Sequence, residues 1–302
     1  MRVAADRAGA GAAENTKWRE RALLEWYAAT ARDLPWRRSR DPYAVLVSEV
    51  MLQQTQVDRV APRFEAWLER WPTADALASA PAAEVLAAWS GLGYNSRALR
   101  LQRAARQVVR DGWPKDERGL RALPGVGPYT AAAVAAFAFG LRAAAVDTNQ
   151  QRVLDRWDGA VGRSVAELRA RALELVPAQA PAEWNHALMD LGATLCMARR
   201  ARCDRCPVAA WCASAGTVDL AAERELRGPA APSPRFEETQ RYVRGRIVAT
   251  LVATGPLPKA ALAEALPNQI AAARVERALA TLQRDGLVVV RDGMVALPGA
   301  EA

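Results

Sequence analysis

The stretch Leu123-Pro124-Gly125-Val126-Gly127-Pro128-Tyr129-Thr130, followed by the alanine-rich run Ala131 to Phe139, constrains this chain more than any other. Two glycines around one apolar residue permit a sharp turn at positive φ and a close approach to a partner, with their amides turned toward an anion. Thr130 stands where an N-cap belongs, and the dipole of the helix it would open adds positive potential at the same spot. A phosphate is the natural occupant. A tight helix-to-helix turn with no ligand is the plainer alternative, and the rest of the chain decides between them.

A chain of 302 residues can bury one large core, or a catalytic body with a small second domain. Its net charge of +8 and pI near 9.8 favour a polyanionic partner. Only Lys17, Lys115 and Lys259 are lysines; the other basic residues are arginines, which fork bidentately onto phosphates. No uninterrupted apolar run reaches the roughly 20 residues of a membrane span. Ala131 to Val146 is broken by Gly140 and Arg142, and no signal-peptide core is present, so a cytoplasmic protein is expected.

After a loose tail over residues 1–16, the spacing Leu23, Leu24, Trp26, Tyr27 predicts an amphipathic helix that stops at Asp33-Leu34-Pro35. Arg37, Arg38 and Arg40 follow, as a phosphate patch or a solvated loop. The next helix, Tyr43 to about Leu52, is apolar on nearly every side and therefore buried, yet it carries Glu49. Desolvation raises a carboxyl pKa, which lets it hold a proton near neutral pH and deliver it as a general acid; a glutamate tied to an arginine or a backbone donor is the structural alternative. Gln53 and Gln54 end that helix with amides suited to base edges, or merely with solvated side chains. Trp67, Trp71 and Trp89 read as core. Tyr94, between Gly91-Leu92-Gly93 and Asn95-Ser96-Arg97, sits on a turn, its ring free to enter a base stack or to fold over the core.

Asp147 precedes Thr148-Asn149-Gln150 at the start of a further helix. A capping box with Gln150 is its ordinary role there, and a helix N-terminus also keeps a carboxylate anionic. Two carboxylates whose surroundings push their pKa values apart form the pattern of an acid and an anion. Asn149 either orients a partner of Asp147 or is only a helix-start residue. His186 is the single histidine, which excludes a His-rich metal site and leaves a packed or capping role.

All four cysteines fall in one cluster, Cys196-x6-Cys203-x2-Cys206-x5-Cys212. A cytosolic chain disfavours disulfides, so four thiolate ligands to a metal centre are expected. Structural zinc commonly uses two separated Cys-x2-Cys pairs, whereas one compact loop suits a cubane cluster; zinc is the alternative.

Together with Leu34-Pro35-Trp36, Ser48-Glu49-Val50-Met51-Leu52-Gln53-Gln54-Thr55 and Gly91-Leu92-Gly93-Tyr94, the hairpin and the cysteines stand in the order found in the helix-hairpin-helix DNA glycosylases. From about Trp18 to about Cys212 the chain resembles the MutY-type adenine glycosylases of that endonuclease III superfamily. The resemblance implies that Glu49 protonates the purine at N7, that Asp147 stabilises the sugar cation or adds to it, and that Asn149 orients the water or Asp147. It also implies that Gln54 wedges into the duplex where the base has left, that Tyr94 intercalates beside the damaged guanine, and that Gln53, Gly125, Val126, Gly127 and Thr130 belong to the DNA interface. The cysteine spacing matches the family's [4Fe-4S] loop. In endonuclease III-like relatives a lysine at the position of Tyr129 attacks the sugar as an amine and leads to strand cleavage. With tyrosine there and no lysine in any motif, the resemblance implies a monofunctional hydrolase in which Tyr129 holds the sugar or the catalytic carboxylate.

Gly228-Pro229-Ala230-Ala231-Pro232-Ser233-Pro234 reads as a linker. Three helices (about 239–254, 259–266 and 271–285) and a glycine-turned hairpin (287–290 and 294–297) follow and resemble a winged helix, a module that binds DNA or protein. MutY-type proteins typically end instead in a MutT-like α/β domain that recognises 8-oxoguanine; this tail is too short and too helical for it. The expected fold is all-α: a helical barrel over 42–150 with the hairpin, an iron-sulfur domain from 17–41 and 151–218, a linker over 219–237 and the winged-helix-like module over 238–299. The expected partner is double-stranded DNA carrying adenine mispaired with 8-oxoguanine or guanine, its base flipped into the cleft between the first two domains. A monomer is expected, nucleoid-associated through DNA, with no membrane and no small-molecule substrate. A T/G or U/G mismatch glycosylase of the same superfamily is the alternative, and a non-catalytic iron-sulfur regulator the third reading, against which Glu49 and Asp147 together argue.

Overall fold

The computed structural model describes residues 12–226, 234–267 and 270–300. Among them the helices are α1 (Ala12–Thr30), α2 (Pro42–Leu52), α3 (Val57–Arg70), α4 (Ala74–Ser79), α5 (Ala82–Ala88), α6 (Ser96–Asp111), α7 (Glu117–Arg121), α8 (Pro128–Phe137), α9 (Thr148–Asp158), α10 (Val165–Leu175), α11 (Pro181–Thr194), α12 (Leu220–Leu226), α13 (Gln240–Thr254), α14 (Leu262–Ala265) and α15 (Ala272–Arg284). Three short strands, β1 (Leu257–Pro258), β2 (Val289–Arg291) and β3 (Met294–Ala296), are confined to the C-terminal segment. Helix α1 begins at Ala12, ahead of the expected start, because alanines and an acidic first-turn Glu14 favour helix there. Helix α12 lies within the stretch expected as linker, and residues 228–233 fall outside the described residues.

Two compact units divide the chain. The first holds Met1–Val45, Lys115–Arg121 and Val126–Pro229. Helix α11 packs against α1 and α9 over a core that includes Leu23, Leu154, Trp157, Trp184, Leu188 and Leu191. Helix α8, buried from Thr130 to Phe137, packs against α7 and α11. Alanine serves there because it has no rotamer freedom to lose and lets neighbours come close. The expectation of Thr130 as N-cap is corrected: Gly127 is the N-cap, Pro128 occupies the first helical position, and the Ala131 amide already donates to the Gly127 carbonyl at 2.9 Å. Proline's fixed φ and missing N–H suit that first position, so the helix opens earlier than the threonine suggests. Only one hairpin glycine, Gly125, takes a positive φ (81°), and a Cβ there would lie 2.9 Å from Cβ of Arg100; Gly127 is extended.

A buried ion pair ties α11 to the segment after α1. Asp190, 1% exposed, accepts from Arg37 Nη1 and Nη2 (2.8 and 2.9 Å) and from Arg32 Nε (2.6 Å). Burial alone would raise this carboxyl, but the two guanidiniums hold it below the usual carboxylate range. Arg38 pairs with Asp33 and Arg40 with Glu183, so the three arginines after Trp36 are engaged with carboxylates. His186 stacks on Phe137 with ring centroids 4.0 Å apart; burial pushes it down to about 3, which keeps it neutral.

The second unit holds Leu46–Pro114, Ala122–Gly125 and Ala230–Ala302. Helices α4 and α5 pack on α6, and Trp67 meets Trp71 and Trp89 edge-on at 4.7 and 5.5 Å, in the core as their spacing suggests. In the C-terminal segment α13 packs on both α15 and α5, over Ile247, Leu251, Leu279, Leu282 and Val295. The strands form an antiparallel sheet of order β1-β3-β2. Asp292 and Gly293 both take positive φ (51° and 75°), the turn chemistry whose twist suits a two-residue hairpin. Strand β1 left no signal in the sequence because it spans two residues.

Asp190→Asn leaves two guanidiniums facing a neutral amide, and is expected to lower unfolding stability by on the order of 3 kcal/mol in urea titration at neutral pH. Because the folded-state pKa of Asp190 is depressed, its contribution is present above the unfolded value and is lost as pH falls through the folded one. The variant should therefore lose less stability on acidification than the wild type, and parallel acid profiles would contradict this.

Candidate active site and DNA-contacting turns

Asp147 is the N-cap of α9: Oδ1 accepts from the Gln150 amide at 2.7 Å and Oδ2 from Asn149 Nδ2 at 3.0 Å. The cap is one-sided. The Gln150 side chain turns away to the carbonyl and Oδ1 of Asn185 (3.2 and 3.3 Å), so the expected capping box is not formed. Buried Asn185 in turn accepts from the Ala145 amide (2.9 Å) and donates to the Ala143 and Pro181 carbonyls (2.9 and 2.7 Å), which fixes the extended segment leading into Asp147. On the other side, Arg152 Nη2 donates to Asn149 Oδ1 (2.8 Å) and to the Gly192 carbonyl (2.7 Å), and its Nε to the Cys196 carbonyl (2.8 Å). An unbroken chain of hydrogen bonds thus runs from the Asp147 carboxylate through Asn149 and Arg152 to the backbone of the first cysteine. Helix α11 reaches this close only because residue 192 is glycine: a Cβ there would stand 2.7 Å from Cβ of Asn149.

All four cysteines line one small cavity with Arg156, Trp157 and Leu195. Arg156 forks onto Glu223 of α12 (2.8 Å twice), and its Nη1 donates to Cys196 Sγ at 3.2 Å. Burial alone would lower Arg156, and the bonds to Glu223 and Cys196 more than reverse that. The Cys206 thiol is pushed up to about 12, first by burial and then by the neighbouring thiols. Among the described residues no group of three or more His, Cys, Asp or Glu side chains is arranged to hold a metal ion.

In the second unit, Gln54 and Tyr94 both take left-handed backbone (φ 60° and 48°), and Asp292 is the one other non-glycine residue described that does so. Strain of this kind concentrates where a side chain must be aimed. Buried Arg97 holds both turns: Nη1 donates to the Val50 and Met51 carbonyls (2.8 and 3.2 Å) and to that of Gln53, while Nη2 donates to those of Leu92 and Gly93 (3.0 and 3.1 Å). Carbonyls at a helix C-terminus have no intrahelical partners, and a cation suits that end of the dipole. Burial lowers Arg97 to about 10, which still leaves it charged at neutral pH. Gln54 is exposed and Tyr94 is 41% exposed, so both side chains are presented outward. Glu49, 4% exposed, faces the interior beside Ser48 on α2 of this unit. Tyr129, half-buried, is the second residue of α8, and Val126 and Thr130 are buried.

The HhH-GPD superfamily of base excision DNA repair proteins matches residues 47–178. Over 290 residues the chain is 42% identical to the adenine DNA glycosylase of Mycolicibacterium smegmatis, covering 92% of this chain and 95% of that one. The chain belongs to the adenine DNA glycosylase family. The human adenine DNA glycosylase is 44% identical over 237 residues, 72% of this chain and 42% of that protein. Among solved structures, a thermostable thymine-DNA glycosylase superposes with a TM-score of 0.64 at 30% identity, over 68% of this chain and 98% of its own. An endonuclease III–DNA covalent intermediate shares the fold, with a TM-score of 0.58 at 24% identity over 68% of this chain and 98% of its own. The mycolicibacterial match leaves fewer residues unpaired than the C-terminal module contains, so it extends into that module.

The family motifs had pointed to Asp147 and Asn149, and these two do meet. The residues that hold them, Arg152, Asn185 and Gly192, and the one that holds the two turns, Arg97, were not singled out from the sequence. Gly192, inside a helix, was the available signal, because glycine in a helix interior is costly unless a close approach requires it. Gly192→Ala is expected to displace Asn149 and lower single-turnover base excision by roughly tenfold to a hundredfold, with duplex affinity unchanged within about twofold. Unaltered excision would show that the α9–α11 approach does not position the site.

Proposed function

We propose that this glycosylase is a monofunctional enzyme of base excision repair, acting as a monomer to hydrolyse the N-glycosidic bond of adenine mispaired with 8-oxoguanine or guanine in duplex DNA. The observation that carries the reading is the identity of 42% with an adenine DNA glycosylase across nearly the whole of both chains, against 30% with the thymine-DNA glycosylase over 68% of this chain. Family membership alone would leave the base open. Glu49, on an apolar helix that excludes water, serves as the acid that protonates adenine at N7, which turns a poor leaving group into a neutral one. Asp147 then faces the cationic sugar, with Asn149 and the Gln150 amide fixing both its oxygens. Tyr129 has no amine to offer, so no Schiff base forms and the abasic strand stays intact.

For DNA contact, the start of α8 supplies backbone amides and a dipole to a phosphate, and Gln54 and Tyr94 enter the duplex from turns held by Arg97. Arg199, Arg200 and Arg205, exposed between the cysteines, add phosphate contacts. We assign Cys196, Cys203, Cys206 and Cys212 to a [4Fe-4S] cluster. Four thiols from one compact loop line one cavity, an arrangement that suits a polynuclear centre better than zinc held by two separated cysteine pairs. The cluster would fold the loop and leave base chemistry to the carboxylates. Among the described residues no helix is long and apolar enough to cross a membrane, in keeping with work on the nucleoid.

Duplexes with A opposite 8-oxoguanine, A opposite G, T opposite G and U opposite G, each incubated and then treated with alkali, test the reading. Breaks are expected in the adenine strand of the first two, and only after alkali. Cleavage confined to T or U would replace adenine by the mismatched pyrimidine, and breaks without alkali would replace hydrolysis by lyase chemistry. The purified protein should be brown with about four irons per chain; a colourless protein with stoichiometric zinc would overturn the cofactor assignment.

A further inference from the structure

The C-terminal module has no role in the chemistry above, yet it touches one of the two turns assigned to the duplex. Within the second unit, a groove of about 950 Å³ runs between the Gln54 and Tyr94 turns on one wall and helix α13 on the other. Four arginines and no carboxylate line it. One of them, Arg241, reaches Tyr94: it hydrogen-bonds the phenol oxygen, and its guanidinium lies 5.1 Å from the Tyr94 ring centroid. Arg97 approaches the same ring at 5.5 Å, so two cations restrain one exposed tyrosine. Arg241 is itself seated over Phe236 at 5.2 Å, and Phe236 meets Tyr242 edge-on at 5.5 Å. Among the described residues no carboxylate pairs with Arg241, whereas nearby Arg244 is paired with Asp285. A cation without an acidic partner among the described residues, seated on an aromatic ring, is free to hold the tyrosine.

We propose that Arg241 is a positioning residue for Tyr94, through which the C-terminal module sets the posture of the wedge. The proposal rests on Tyr94 being that wedge. A tyrosine in left-handed backbone has its direction fixed at the main chain but keeps its side-chain rotation; a hydrogen bond to the hydroxyl and a cation over the ring remove that remaining freedom. Less ordering is then left to be done when the ring enters the base stack. The module thereby influences opening of the mispair without reading any base.

The test is a double-mutant cycle on the full chain, with single-turnover excision from an A·8-oxoguanine duplex and the fluorescence of 2-aminopurine beside the mispair, which reports unstacking. Tyr94→Ala alone should reduce both signals. Arg241→Ala should reduce unstacking and excision by about tenfold with an unchanged melting temperature. Arg241→Lys, which keeps a cation and a donor, should restore part of the loss, and Arg241→Ala in the Tyr94→Ala background should cost nothing more. Additive losses would mean that Arg241 acts on DNA directly, and no loss at all would mean that it does not act; either overturns the proposal while the wedge stands. Wild-type unstacking by Tyr94→Ala would remove the wedge assignment, and the proposal with it.

Discussion

Carbonyl groups at helix ends, and the buried guanidiniums that satisfy them, underlie most of what is ordered near the candidate site. A chain built of many short helices has many C-terminal ends, each leaving carbonyls without intrahelical donors. Arg97 serves the end of α2, Arg152 the end of α11, and Arg142 the end of α10 through Leu173, Glu174 and Val176. Such charge-assisted bonds contribute roughly 1.5–3 kcal/mol each, and removal of the donor strands several acceptors at once. Two of these arginines also do something specific: Arg97 fixes the turns of Gln54 and Tyr94, and Arg152 fixes Asn149 against Asp147. Stability and site geometry therefore depend on the same contacts.

The arginine excess was legible in the composition, but its meaning was only half legible. A positive chain rich in arginine implies a polyanion, and the exposed arginines of the cysteine loop agree with that. Arg37, Arg97, Arg152 and Arg156 are instead engaged inside the fold with carboxylates, carbonyls or a thiol. Arg37, Arg38 and Arg40, an apparent patch in the sequence, each meet an aspartate or glutamate that lies five to more than a hundred residues away along the chain. Asp33 is a local partner of Arg38, but no local pattern reveals the partners of Arg37 and Arg40, which lie on α11.

Elements with strong periodicity or punctuation were read well: the apolar helix carrying Glu49, the helix opening at Asp147, and the three helices and hairpin after the proline-rich stretch. Errors arose where two rules compete. At the hairpin, threonine's capping preference lost to proline's preference for the first helical position. At α9, the side chain of Gln150 found a buried asparagine rather than its own helix start. Nothing in a glutamine or a tyrosine announces positive φ, so the strain at Gln54 and Tyr94 was invisible. That strain costs on the order of 1 kcal/mol per residue and persists because Arg97 over-determines both turns.

In the proposed chemistry Asp147 acts at the chemical step, held by Asn149, the Gln150 amide and, through Asn149, Arg152. Quantifying free adenine released in a single turnover from an A·8-oxoguanine duplex, alongside duplex affinity, tests this directly when wild type and Asp147→Asn are compared. The amide keeps the size of the side chain and a cap acceptor but removes the charge. With Asp147 in that role, adenine release by Asp147→Asn falls below detection while the duplex is bound within about threefold of wild type. Release at a near-normal rate, or loss of binding in step with loss of release, would contradict it.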